Sequence, residues 1–186
     1  MMLGLFVLLL WTGSVTCDTV EVEPIECVRR YYLRSAEDEK AIAAGMAFLE
    51  TQRARLPETL ADAYQAALTI LKARYAFWPQ TKMRYLREGL PVLDSLVAAH
   101  PEHMEIRCLR LLSIYYLPFF LGRKEMARED MRRLTEQLLA GEASLPDTYR
   151  RMMVEFLLAN APLDQVERMR LQRLYRELRR SEARLP

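Results

Sequence analysis

The chain of 186 residues has almost no charge imbalance and few β-branched residues. Its 27 Lys and Arg residues face 25 Asp and Glu residues, which leaves a formal net charge of +2. A dedicated nucleic-acid binder carries a strong basic excess, so the balance argues against that class. Val and Ile are sparse and Asn occurs once, whereas Leu, Ala, Arg, Glu and Met dominate. This composition favours helices over strands, and the 51% apolar content is enough for one domain with a hydrophobic core.

The first 17 residues contain no charged side chain. An apolar run at 3–11 is followed by small and polar residues at 12–14, which is the layout of a secretory signal peptide. The run is shorter than the ~20 residues of a transmembrane helix, and it lacks the Lys or Arg that normally precedes such a run. We expect residues 1–17 to be a signal peptide and the protein to be exported, periplasmic or envelope-associated. A buried N-terminal helix and an uncleaved membrane anchor are the alternatives.

Cys17 offers another form of membrane attachment. Residues 14–17 resemble a bacterial lipobox loosely, because Thr16 stands before the cysteine where Gly, Ala or Ser is usual. A lipid anchor on Cys17 is therefore an alternative to simple cleavage of the signal peptide.

Prolines divide the remaining chain into helices, because proline is tolerated at a helix start and disfavoured in its interior. The apolar spacing predicts seven helices, at 36–54, 58–77, 80–99, 102–117, 123–140, 146–160 and 164–181. Residues 18–34 are expected to be extended, and 35–186 to form a single helical-repeat domain. The connections are short, so neighbouring helices pack antiparallel in an all-α fold. Pro91, inside the third helix, is expected to bend or break it.

Arg107 and Arg110 are the strongest charges on an otherwise apolar fourth helix. They are three residues apart and therefore share one face. Ion pairing within the fold is the favoured interpretation, and an anion of a ligand or peptide is the alternative.

Aromatic residues cluster at Tyr115, Tyr116, Phe119 and Phe120, and a second group lies at 75–85. Helical spacing beside Leu and Ile favours a core role for most of them. The connector at 117–122 lies in a turn, so Phe119 and Phe120 are the aromatics most expected to contact a partner; we include Tyr115 with them as a candidate binding residue.

The sequence shows no catalytic or metal motif. His100 and His103 do not share the helical face that a metal site needs, because Pro101 places them on either side of a helix start. We therefore expect neither an enzyme nor a cofactor. The last helix is basic and amphipathic, which is typical of a capping helix with a solvated face or of a surface that binds a membrane or an acidic partner.

Residues 70–135 carry a family resemblance. A small residue at a close helix crossing, a proline turn and an apolar helix follow one another in the cadence of a tetratricopeptide unit. The matching residues are Tyr85-Leu86, Gly89, Leu93-Asp94, Pro101, Glu105-Ile106-Arg107, Leu109-Arg110 and Leu117-Pro118-Phe119-Phe120-Leu121-Gly122. This stretch resembles a group of poorly characterised exported bacterial proteins. The resemblance implies a tetratricopeptide-like fold of stacked antiparallel helix pairs and no established activity.

Two functions follow as hypotheses. The first is an interaction or scaffold module that binds a protein or peptide in the bacterial envelope. The second is a carrier that holds a small apolar molecule or lipid between its helices.

Overall fold

The computed structural model describes residues 22–182, and the regular structure within them is entirely helical. The helices are α1 (Pro24–Arg34), α2 (Glu39–Gln52), α3 (Glu58–Tyr75), α4 (Pro79–Ala99), α5 (Met104–Ile114), α6 (Lys124–Leu139), α7 (Asp147–Asn160) and α8 (Gln165–Glu182). Short 3-10 turns lie at Arg53–Arg55 and Phe119–Leu121. The predicted all-α class is confirmed, and the seven predicted helices correspond to α2 through α8.

Helix α1 corrects the expectation that residues 18–34 are extended. Pro24 occupies the first helical turn, and the face that carries Cys27, Val28 and Tyr32 is buried. The side chain of Arg29, also buried, donates to the carboxylate of Glu105 on α5. A partner this distant in sequence gives no local sign that Arg29 is buried, and the acidic residues before Pro24 favour an extended segment. Residues 18–21 lie outside the described part of the chain.

Consecutive helices pack as hairpins, α1 with α2, α3 with α4, α5 with α6 and α7 with α8. In the first part of the stack, α1 contacts α3 and α3 contacts α5, so the first helix of each hairpin touches the first helix of the next. In the last part the contact passes to the second helices, α6 and α8. Nearest-neighbour packing of this kind is typical of stacked helical hairpins.

Helix α5 is central, as its apolar sequence predicts. All of its residues from Met104 to Leu111 are buried, together with Ile114. Their partners come from helices on both sides, and Leu68, Leu93, Leu134 and Leu157 are among the fully buried side chains around them. The core therefore runs continuously through the stack.

The turns inside the hairpins lie on the same side of the stack. The Tyr75 hydroxyl at the end of α3 donates to the Ser35 carbonyl after α1 (2.9 Å). In the second half, the Tyr115 hydroxyl after α5 donates to Asn160 Oδ1 at the end of α7 (2.8 Å). On the other side, Gln137 Nε2 near the end of α6 donates to the Glu102 carbonyl (2.9 Å).

Helix α4 continues through Pro91 from Pro79 to Ala99, so the predicted bend does not break the helix. Gly89 is buried where α4 crosses α3. A Cβ atom at this position would lie 2.5 Å from Ile70 Cγ1 and 2.7 Å from the Ala66 backbone oxygen. The close crossing predicted for Gly89 is confirmed.

We expect Gly89→Ala to lower the free energy of unfolding by about 1–3 kcal/mol, because the added methyl group must push α3 away from α4. Ser95→Ala, at an exposed position of the same helix, is the matched control and should leave stability almost unchanged. Urea denaturation followed by circular dichroism measures both. Equal stability of the two variants would contradict the role of the crossing.

Candidate functional site

Arg107 and Arg110 both bind the carboxylate of Asp130 on α6. Arg107 Nη1 donates to Oδ1 (2.9 Å), while Arg110 donates from Nε to Oδ2 (2.9 Å) and from Nη2 to Oδ1 (2.6 Å). Asp130 is 0% exposed, and the two arginines are 6% and 8% exposed. Arg107 also donates to the carbonyl of Pro101. The structure thus shows the ion pairing that the sequence favoured for these arginines.

This pairing removes the alternative of an open anion site at Arg107 and Arg110. Their charged groups are held inside the fold by a carboxylate, and a partner could not reach them without displacing it. Asp130 is not among the predicted site residues, because in the sequence it looks like one more charge in the run 123–133. Its spacing from Ala127, Met131 and Leu134, which form the buried face of α6, is the sequence feature that indicates a buried carboxylate.

The ion pairs continue from Arg110 to the connector between α5 and α6. Asp94 on α4 lies 3.7 Å from Arg110 and accepts a hydrogen bond from Arg123 Nη1 (2.5 Å). Arg123 directly follows Gly122, which has a left-handed backbone (φ 67°) that closes the 3-10 turn. The end of the connector is therefore fastened to α4.

The connector presents its aromatic side chains to solvent. Phe119 is 86% exposed, Phe120 69% and Tyr116 78%. The rings of Phe119 and Phe120 lie edge to face with their centroids 6.2 Å apart. Leu121 turns inward and packs against the core. The exposure predicted for Phe119 and Phe120 is confirmed.

Tyr115 has a different place from the two phenylalanines. It is half-buried, its ring packs edge to face on Phe156 (5.0 Å between centroids), and its hydroxyl binds Asn160. Tyr115 therefore supports the connector from below by tying α5 to α7. Its role as a candidate binding residue stays a prediction.

A second buried ionic group joins α1, α3 and α5. Arg29 donates from Nε and Nη2 to both oxygens of Glu105 (2.7 Å each), and the Tyr64 hydroxyl donates to Glu105 Oε1 (2.5 Å). Burial raises the pKa of Tyr64, and the neighbouring Glu105 charge raises it further. Burial lowers the pKa of Arg29, but the Glu105 carboxylate outweighs this and the net direction is upward. Tyr64 therefore stays a neutral phenol and Arg29 a cation.

The cavity beside this group is small. It measures about 20 Å³, with Tyr64, Glu105, Cys108 and Tyr149 in its wall. That is room for one water molecule, whereas small-molecule pockets start near 300 Å³. This cavity gives no support to a carrier that encloses a ligand between its helices.

Cys108 reaches the same cavity, yet its chemistry is unfavourable for a nucleophile. The side chain is buried, and burial raises the pKa of its thiol. A reactive cysteine needs a lowered pKa and access to solvent. Among residues 22–182, no group of three or more His, Cys, Asp or Glu side chains is placed to hold a metal ion.

Phe77 and Trp78, in the turn between α3 and α4, are exposed by 83% and 64%. The core role predicted for them is wrong. Helix α3 ends at Tyr75 and Pro79 starts α4, so both residues lie in a turn beyond the packed helices. The Pro at position 79 was the signal that distinguished these two aromatics from helical ones.

Three features of the sequence bear on membrane attachment: residues 1–17, Cys17 and the basic helix α8. Cys17 and the expected signal peptide at 1–17 lie outside the described residues. In the described part of the chain, no helix is both long and apolar enough to cross a membrane. Helix α8 packs on α6 and α7 through Leu171 and Leu178, which are buried, and leaves its arginine-rich face in solvent.

Comparison of the chain with protein-family models, with curated proteins and with solved structures found no match.

We expect Asp130→Asn to lower the free energy of unfolding by about 3–5 kcal/mol, because it leaves the buried guanidinium of Arg107 without a carboxylate and Arg110 with only Asp94 at 3.7 Å. Glu129→Gln is the matched control on the neighbouring residue. Glu129 binds Arg132 and Arg133 on the surface, and the hydrogen bond from Arg132 holds its pKa below the usual range. Surface pairs contribute little, so this control should change stability far less. Chemical denaturation of both variants is the measurement, and similar losses would refute a special role for Asp130.

Proposed function

We propose that the protein is an exported helical-repeat module that binds a protein or peptide partner in the bacterial envelope. The observation that carries this proposal is the solvent-exposed aromatic connector, defined by Tyr116, Phe119 and Phe120. Aromatic side chains dominate the binding energy of many protein interfaces. Single exposed apolar residues are common on protein surfaces and need no explanation. Three aromatic residues exposed together on one turn are unusual and indicate a contact surface.

The connector is also held rigidly, which favours binding. Arg123 fastens its end to Asp94, and Tyr115 fastens its start to Asn160. A surface that is ordered before binding loses less conformational entropy when the partner arrives. Arg107 and Arg110 then act indirectly, because their pairing with Asp130 fixes α6 against α5 and so sets the position of the connector between them.

Export and localisation in the envelope rest on the sequence of residues 1–17, and the absence of an enzymatic activity remains a prediction. The raised pKa of Cys108 and the one-water cavity support an interaction module over a catalyst. The enclosed cavity does not support the carrier hypothesis, and the remaining candidate for a carrier is the open groove of about 340 Å³ between α2 and α4.

In the cells that make this protein, a photo-crosslinking amino acid at position 120 should give one discrete protein-sized adduct in the envelope fraction. The same amino acid at Glu102 is the control, because Glu102 is exposed in the turn between α4 and α5, on the opposite side of the stack. Adding Phe119→Ser should lower the yield at position 120 by at least about tenfold, as expected for removal of an aromatic anchor.

Positions 102, 119 and 120 are all exposed, so the variants should keep their helical circular dichroism. Absence of an adduct at 120, equal adducts at 120 and 102, or an adduct insensitive to Phe119→Ser would each refute binding through the connector.

A further inference from the structure

The α3–α4 turn is a second exposed aromatic surface, and its charge differs from that of the connector. Phe77 and Trp78 pack edge to face with ring centroids 5.1 Å apart and project into solvent. Pro79 fixes the backbone directly after them. A Phe and Trp pair held at the tip of a turn has an unfavourable free energy in water, which an apolar environment would relieve.

Positive charge surrounds this aromatic tip. Residues 72–84 contain Lys72, Arg74, Lys82 and Arg84, and no Asp or Glu. Lys72 Nζ lies 5.8 Å and Arg84 Cζ 5.0 Å from the centroid of the Tyr85 ring, so two like charges are gathered around one aromatic side chain. Within residues 22–182, a carboxylate within 4.0 Å is found for Arg84 alone of the four, on Glu88.

The neighbouring α1–α2 turn also carries carboxylates, and Tyr75 ties that turn to the end of α3. Glu37 and Asp38 lie in the turn, Glu39 and Lys40 begin α2, and Arg34 ends α1. Arg34 lies 3.7 Å from Asp38 and offsets part of this acidity. The local excess of one negative charge is smaller than the four cations at 72–84, so this end of the stack remains positive.

Two of the cations lie close behind the aromatic tip along the helices. Arg74 is next to the last residue of α3, and Lys82 is the fourth residue of α4, so both lie within about one helical turn, ~5.4 Å, of the tip. Aromatic residues of membrane-surface proteins enter the headgroup region by ~5–10 Å, which would bring these cations to the level of the lipid phosphates. Their long aliphatic stems allow the charged ends to reach that level.

A groove of about 340 Å³ opens beside the tip, between α2 and α4. Ile42, Met46, Trp78 and Tyr85 form its apolar surface, and its wall also includes the cation Lys72 and the carboxylate Glu39. An apolar surface next to a cation suits a lipid, whose acyl part and phosphate are joined in one molecule.

We infer that the α3–α4 turn docks on an anionic phospholipid bilayer, with Phe77 and Trp78 in the apolar part of the interface and the four cations on the phosphates. The order of groups, aromatic at the tip and basic one turn behind, follows the order of layers in a bilayer surface. An acidic protein is a less suitable partner, because it would have to supply an apolar pocket with a ring of carboxylates around it.

This inference is independent of the partner proposed for the connector. Arg123, at the end of the connector, contacts Asp94, which is 15 residues along α4 from Pro79, or about 22 Å at 1.5 Å per residue. The two aromatic surfaces belong to different turns on the same side of the stack, and the side chains of either can be substituted without changing the other.

Trp78 is itself the reporter for a test. The sequence has two tryptophans, and in the Trp11→Phe variant Trp78 is the single one whether or not residues 1–17 are removed on export. The probes are vesicles of brominated phosphatidylcholine, alone or mixed with phosphatidylglycerol. We expect Trp78 fluorescence to shift to the blue and to be quenched by the brominated chains only when phosphatidylglycerol is present.

In the same background, Arg74→Glu with Lys82→Glu should weaken partitioning of Trp78 into the vesicles by at least about tenfold, since each cation near an anionic surface contributes to binding. Arg179→Glu with Arg180→Glu, at exposed positions of α8, is the matched control and should leave the quenching unchanged. Circular dichroism confirms that the variants stay helical.

Four results would overturn the inference. Trp78 could stay unquenched although the chain sediments with vesicles, which would assign attachment to another segment. Quenching could be equal on both lipid compositions, which would show that anionic lipid is not required. It could also fall equally in both charge variants, which would show that the cations of the α3–α4 turn have no specific role in binding. Finally, Trp78 could respond to polyglutamate and not to lipid, which would assign the surface to an acidic polypeptide.

Discussion

Asp130 is the constraint on which the arrangement of the second half of the stack depends. Its single carboxylate is shared by Arg107 and Arg110, with all three side chains buried, and Asp94 and Arg123 extend the same set of charges to α4 and to the connector. Leu and Ala faces fit one another in several registers with similar free energy. A buried ion pair fits in only one register, because a mismatch leaves charges unpaired at low dielectric. These pairs therefore fix the register of α4, α5 and α6, and Arg29 with Glu105 does the same for α1 and α5.

The sequence predicts the helices well and their long-range partners poorly. Proline positions and apolar periodicity place α2 through α8, because these signals are local to each helix. Helix α1 is missed because its amphipathic face is short and its charged residue Arg29 finds a partner 76 residues away. The same reason explains why Arg107 and Arg110 are correctly interpreted as paired while the identity of Asp130 is not predicted: periodicity shows which face is buried and does not show what it meets.

The candidate surfaces show the same division. Phe119 and Phe120 are predicted to be exposed because Pro118 and Gly122 frame them as a turn. Phe77 and Trp78 are preceded by a helix and followed by a proline. Their helical spacing predicts a core position, but both side chains are exposed in the folded protein. Tyr115, close to the turn of Phe119 and Phe120, is half-buried against Asn160 and Phe156.

The contact between α6 and α8 sets the last hairpin apart from the others. Through the first three hairpins, successive first helices touch, whereas at the last hairpin the contact passes to the second helices. A regular solenoid repeats one interface along its length. This stack changes its interface at the last hairpin, so that hairpin could not be exchanged for an earlier one without repacking.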